Sequence, residues 1–279
     1  MAEHPDWLII HQGDAPLILS IPHAGTEIDE EIEEGLADPW LARKDADWWV
    51  DQLYFFARDL GATIVQTTCS RTMIDVNRPP DGASLYPGQA TTDLCPLTSF
   101  DGEPLYQPGR EPDAMETLRR RELFHAPYHA ALMAEILRLR RTHPRVVLYD
   151  CHSIRSFVPR LFDGALPHFN IGTYEGKSCD PGLTRVIEAA CDVTQFTRVT
   201  NGRFKGGHIT RHYGQPQKGV HAVQMELACR GYMLEPDEEP APDNWPPSFD
   251  AAYAAPMVKA LTRILNACIG WATHGEVKQ

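Results

Sequence analysis

Two histidines, two aspartates and a glutamate stand where metal-assisted hydrolysis would need them. His23 follows a short apolar run in SIPHAG, and His152 follows another in LYDCHSI. Asp45 and Asp47 open a helical stretch, and Glu226 lies within HAVQMEL. Two imidazoles and a carboxylate suit zinc, which leaves a further carboxylate free to act as a base. Each residue also has a plainer explanation. A histidine after a strand is commonly a hydrogen-bonded structural group, and an aspartate ahead of a helix is an ordinary N-cap. Glu226 is harder to dismiss. Alternation puts Val223, Met225 and Leu227 on one face of its strand, with Gln224 and Glu226 on the other beside Ala222 and Ala228. A buried strand would have to give that carboxylate a partner, whereas an exposed edge strand would not. His221 falls on the face opposite Glu226.

The arginines form a second pattern. SRTMIDVNRPPDG carries Arg71, Asn77 and Arg78 in a short strand-to-loop passage. A guanidinium matches a carboxylate through two parallel hydrogen bonds, a geometry lysine cannot copy. The same arginines could instead pair with the chain's own Asp75 or Asp81. RFKGGHITRHYG gathers Arg203, Lys205, His208, Arg211 and His212 around paired glycines. It reads either as a flexible loop closing over an anion or as a solvated basic loop. The net charge of −12 argues against a general nucleic-acid binder. It leaves room for a small anion held by locally gathered arginines.

The elements that must position these groups alternate between strand and helix. Strands are expected at Pro16 to Ile21, Ala62 to Thr68, Arg145 to Asp150, Phe169 to Thr173, Gln195 to Thr200 and Val220 to Ala228. Helices are expected from Asp45 to Leu60, from Asp113 to Thr142 with a break or kink at Pro127, from Gly182 to Asp192, and from Phe249 to Trp271. Pro79 to Pro112 reads as a long irregular loop, a kind usually tied to function. The acidic, proline-rich Glu235 to Pro247 reads as a surface loop. Such alternation implies an α/β sheet covered on both faces, with ligands beyond the carboxyl ends of its strands. A length of 279 residues fits a single such domain, 1–279.

Seven cysteines without a C-x-x-C pair suggest buried free thiols in a reducing compartment. Zinc held through sulfur is not expected. The start, MAEHPDWLII, lacks the features of a signal peptide, and no run approaches the roughly 18 apolar residues of a membrane helix. The expected location is the cytoplasm.

Taken together, SIPHAG, DADWWVDQLY, SRTMIDVNRP, YDCHSI, FNIGT and RFKGGHITRHYG through HAVQMELACRGYM resemble the N-formylglutamate amidohydrolases. The pieces run in order from about residue 16 to 233. This resemblance implies a three-layer α/β/α sandwich with a mixed central sheet, related to the zinc-dependent exopeptidases. It implies hydrolysis of N-formyl-L-glutamate to formate and L-glutamate, in histidine degradation. Carried over by position, His23, His152 and Asp47 resemble the ligands of Zn2+ or another divalent metal, Asp47 fitting slightly better than Asp45. Glu226 resembles the base that activates the attacking water, and Arg71 the group that polarises the scissile carbonyl. Asn77 and Arg78 match a pair that holds a substrate carboxylate. Arg155, Arg203 or Arg211 are candidates for the other carboxylate. His208 departs from the aromatic residue expected there. The alternatives are a zinc acylase or amidase for another N-acyl amino acid or peptide, and a non-catalytic binder of acidic metabolites. No nucleic-acid or membrane partner is expected.

Overall fold

Apolar strands dictate the centre of this protein. The computed structural model describes residues 4–84 and 92–275. Its strands are β1 (Leu8–His11), β2 (Leu17–Ile21), β3 (Thr63–Thr67), β4 (Val146–Ile154), β5 (Phe169–Gly172), β6 (Arg198–Thr200) and β7 (Val220–Ala228). They form a mixed sheet in the order β1-β3-β2-β4-β7-β5-β6. The middle strands β3, β2, β4 and β7 are parallel, while β1 and β5 run antiparallel to β3 and β7. Every residue of β2, β4 and β7 is buried, as expected for parallel strands covered on both faces.

Helices supply that cover. On one face Leu19, Tyr149, Val223 and Met225 pack with α3 (Val50–Leu53), α6 (Pro181–Asp192) and α8 (Ala251–His274). On the other, Ile18, Leu148 and Ala222 meet Tyr128, Leu132 and Ile136 of α5 (Ala126–Arg140), with Ile209 and Tyr213 of α7 (His208–Tyr213). This is the expected three-layer α/β/α sandwich. Each large apolar side chain taken from water here contributes about 1.5–3 kcal/mol. The sequence also marks the helix starts. Asp180 and Asp250 accept hydrogen bonds from first-turn amides of α6 and α8, and Pro181 occupies a first-turn position that needs no donor. Three short helices, α1 (Glu30–Glu33), α2 (Leu41–Lys44) and α4 (Ala114–Arg120), lie on the connecting segments. Among the described residues no helix is long and apolar enough to cross a membrane.

Several expected elements take another form. Asp45 to Leu60 is not one helix. Trp49 has φ 65°, and α3 is followed by a separate 3-10 turn, Phe55–Arg58. The apolar spacing correctly put Val50, Leu53 and Ala57 in the core. It could not show that the Trp49 indole is drawn to the carbonyl of Pro247 (2.9 Å), which accompanies a left-handed backbone there. β4 runs on to Ile154, so His152 lies within a strand and not after it. Strand β6 begins only at Arg198, and β1 was not anticipated. Around Pro127 the helix continues, but a π-type turn at Arg121–His125 directly precedes the segment that holds the proline. RFKGGHITRHYG is a packed segment ending in α7. Its Gly206, at φ +113°, needs a residue without a side chain. The described parts of Pro79 to Pro112 are free of helix and strand, as expected, and residues 85–91 lie outside the described residues. All seven cysteines are buried and unpaired.

Candidate active site

Sheet register builds the site. In the parallel pairing of β4 with β7, His152 stands directly opposite Glu226, and Asp150 opposite Gln224. Ser20 of β2 pairs with Asp150 in the same row. One face of the sheet therefore turns from apolar (Ile18, Leu148, Ala222) to polar as it nears the carboxyl ends of its strands. β7 is an interior strand, so the exposed-edge explanation for Glu226 does not apply.

Two aspartate–histidine pairs fix the imidazoles. Asp75, fully buried, lies 2.7 Å from Nε2 of His23, and Asp150 lies 3.0 Å from Nε2 of His152. Both rings then turn Nδ1 toward Asp47, whose Oδ2 is 3.1 Å from His152 Nδ1 and 3.8 Å from His23 Nδ1. Asp47 is held by its own amide, which donates to the His23 carbonyl (2.9 Å), and by the Ser153 amide, which donates to Oδ2 (3.1 Å). One donor atom from each of His23, Asp47 and His152 falls within 4.8 Å of the others, and this buried cluster could hold a metal ion. Asp45 does not join it. Its carboxylate accepts from the Phe100 amide (2.6 Å) and from Arg155 Nη2 (3.3 Å). The donor set suits zinc: two imidazoles backed by carboxylates, and one carboxylate ligand.

The charges are tightly balanced. Burial would lower both histidines. At His152 the carboxylates of Asp150 and Asp47 outweigh burial and hold it well above the ordinary value. At His23 burial, reinforced by Arg71, prevails and lowers it. Burial would raise Asp75, yet His23, Arg78 and Arg71 hold its carboxyl well below the usual range. A divalent cation among these groups would offset the buried negative charge of Asp47, Asp75 and Asp150. Glu226 differs from its neighbours. Burial pushes it up to about 7, a value suited to a base working near neutrality. One carboxylate oxygen accepts from Gln224 Nε2 (2.9 Å), and no hydrogen bond from a described residue reaches the other.

These groups open into a cleft lined by His23, His152, Glu226, Arg71, Asn77, Arg78 and Arg203 among others. Arg71 lies at the end of the cleft beside His23. Nη2 binds Asp75 (2.8 Å), while Nη1 lies 3.3 Å from His23 Nδ1. Arg71 thus both pairs with Asp75 and faces the His23–Asp47–His152 cluster. Arg78 is tied to Thr92 through Nε (3.0 Å) and Nη2 (2.9 Å). Asn77 is committed to the scaffold. Its Nδ2 donates to Asp150 (3.2 Å), and its Oδ1 accepts from the Ile209 amide (2.8 Å). Gly207 packs so closely on that amide that a Cβ would lie 2.5 Å from Asn77 Nδ2. Arg155 and Arg211 do not line the cleft. Arg155 binds Asp101 (2.6 Å) and Asp45, and Arg211 lies over the Tyr174 ring with Nε on the Gly206 carbonyl. His208 and His212 stack together beside His129 and are not among the His23–Asp47–His152 group, and His221 packs on Trp271 across the sheet.

The family model for N-formylglutamate amidohydrolase matches residues 15–233. The chain belongs to the N-formylglutamate amidohydrolase family. An N-formylglutamate deformylase of Pseudomonas putida is 46% identical over 265 residues, spanning 95% of this chain and 96% of its own. Another from Pseudomonas aeruginosa is 44% identical over 269 residues, with the same coverage. Among solved structures, the N-formylglutamate amidohydrolase from Ralstonia eutropha JMP134 superposes with a TM-score of 0.76 at 22% identity, covering 93% of this chain and 96% of that one. At that identity the likeness supports the family's fold.

Some of the site went unread in the sequence. Asp150 could have been found, since it precedes His152 by two in one strand and so shares its face. Asp75 had been noted only as a partner for arginine. Its place behind His23 makes it the more testable of the two. Asp75→Asn should weaken metal affinity about 10–100-fold, because the amide cannot anchor the imidazole as a charged acceptor does. Titration with a competing chelator checks this, and unchanged affinity would remove Asp75 from the site.

Proposed function

We propose that the protein hydrolyses the N-formyl amide of N-formyl-L-glutamate to formate and L-glutamate, as a zinc-dependent enzyme of histidine degradation in the cytoplasm. The observation that carries the reading is Glu226, held near neutrality directly opposite His152 and beside the His23–Asp47–His152 cluster. The two deformylase relatives, each spanning 95% of the chain, support the choice of substrate.

Zinc held by His23, Asp47 and His152 would supply Lewis-acid polarisation of the reacting oxygens. Glu226 takes a proton from the attacking water and returns it to the leaving amine nitrogen. Arg71, locked on Asp75, presents a fixed positive charge to the formyl oxygen as negative charge develops there. Arg78 receives a substrate carboxylate. Asn77 holds Asp150 and the start of α7 in place around it. Of Arg155, Arg203 and Arg211, only Arg203 lines the cleft that the second carboxylate would enter.

Release of the free amino acid from N-formyl, N-acetyl and N-succinyl amino acids tests the substrate. N-formylglutamate should be the preferred member. Faster turnover of another acyl group would make the enzyme a different acylase, and metal binding without turnover would make it a binder. Arg78→Lys keeps the charge but loses the fork, so kcat/KM should fall by about 1.5–3 kcal/mol of transition-state binding. A change within about twofold would move the carboxylate contact elsewhere.

A further inference from the structure

We infer that Arg160 selects the substrate's side-chain carboxylate, and hence a glutamyl over a neutral amide side chain; this rests on the deformylase reading above. Arg160 lines the same cleft as His152 and Glu226 but lies on the loop beyond β4, among residues that carry no recognisable motif. Its bonding sets it apart from the other arginines around the site. Arg71 is held by Asp75, and Arg155 by Asp45 and Asp101. Among the described residues Arg160 has no carboxylate partner, and its one hydrogen bond is a long contact from Nη1 to the Phe100 carbonyl (3.4 Å). Arg160 is exposed along the cleft, and its solvated donors are open to an anion that arrives from outside.

The surroundings match a short apolar spacer ending in a carboxylate. Ile154, Leu161 and Phe204 line the cleft and belong to one apolar cluster. They offer contact to the two methylenes of a glutamyl side chain. Arg203 is pinned through Nε to the carbonyl of Leu161 (2.8 Å), which brings a second guanidinium to the same rim. The turn beneath Arg160 leaves room for it. Gly102 sits at φ +96°, and a Cβ there would lie 3.3 Å from Arg160 Nε. Arg155 secures that turn through Asp101. Arg155 thereby acts as a positioning residue at one remove from the substrate.

The test compares N-formyl-L-glutamate with N-formyl-L-glutamine, a neutral analogue of nearly the same shape, on wild type and Arg160→Gln. Wild type should prefer the acid, and Arg160→Gln should shrink the ratio of the two kcat/KM values about 10- to 100-fold. The loss should fall mainly on KM for the acid, with Arg160→Lys intermediate. Because each ratio is taken on one preparation, a partly folded variant cannot mimic the effect. A ratio unchanged within about twofold overturns the assignment alone. Wild type that releases no formate from N-formylglutamate overturns the deformylase reading and this assignment with it.

Discussion

Glu226→Gln should keep its metal and its fold while the chemical step slows by at least about 10²-fold. The replacement is nearly isosteric, and Gln224 can still meet a carbonyl oxygen where it now meets a carboxylate. What the variant cannot do is exchange a proton near neutrality. In wild type, kcat/KM should fall as pH drops through the Glu226 titration, because the protonated acid is no longer a base. The stability of the metal-free protein gives an independent check. The folded-state value of about 7 lies above the ordinary 4.5, so the folded protein holds this proton more tightly than the unfolded chain does. Its contribution is therefore most favourable below pH 4.5 and is lost as pH rises toward 7. Above pH 7, metal-free Glu226→Gln should be at least as stable as metal-free wild type. Urea melts at pH 5 and pH 8 would show it, and a variant less stable at pH 8 would contradict the burial argument.

Asp47→Asn should behave differently, losing metal and activity together. An amide oxygen offers no anionic ligand, and activity should fall by more than about 10²-fold. Asp47 also receives the Ser153 amide and faces His152, so the metal-free variant should lose about 1–3 kcal/mol of stability. Metal stoichiometry and kcat on both variants side by side decide the roles. If Glu226→Gln emerges without metal while Asp47→Asn retains it, base and ligand have been exchanged.

The sheet was more legible than its connections. β7 spans Val220–Ala228 as its apolar alternation predicts, because a buried strand must be apolar on at least one face along its whole length. The polar carboxyl end of β4 escaped for the converse reason. His152 and Ser153, beyond the expected end at Asp150, are hydrophilic by composition, yet they are buried and bonded to Asp47 and Tyr232 from other parts of the chain. Periodicity failed between Asp45 and Leu60 since it reports which side chains face the core, not whether backbone hydrogen bonds run unbroken past Trp49. Within the site, His23, His152 and Glu226 could be singled out from residue type and strand context. The choice of Asp47 over Asp45 needed three dimensions, because Arg155 and the Phe100 amide claim Asp45 from distant parts of the chain. Arg160 lies outside every motif, and only the shape of the cleft brings it into view.

The central claim is that formyl hydrolysis depends on a metal held by His23, Asp47 and His152. It is tested most directly by measuring metal content and formate release from N-formylglutamate on one wild-type preparation, before stripping, after stripping and after reloading. Activity should fall below about 1% in the stripped protein and return as zinc approaches one equivalent per chain. The melting temperature should fall and recover in step, since the ion binds the folded state. Full turnover by protein verified to be metal-free would contradict the account.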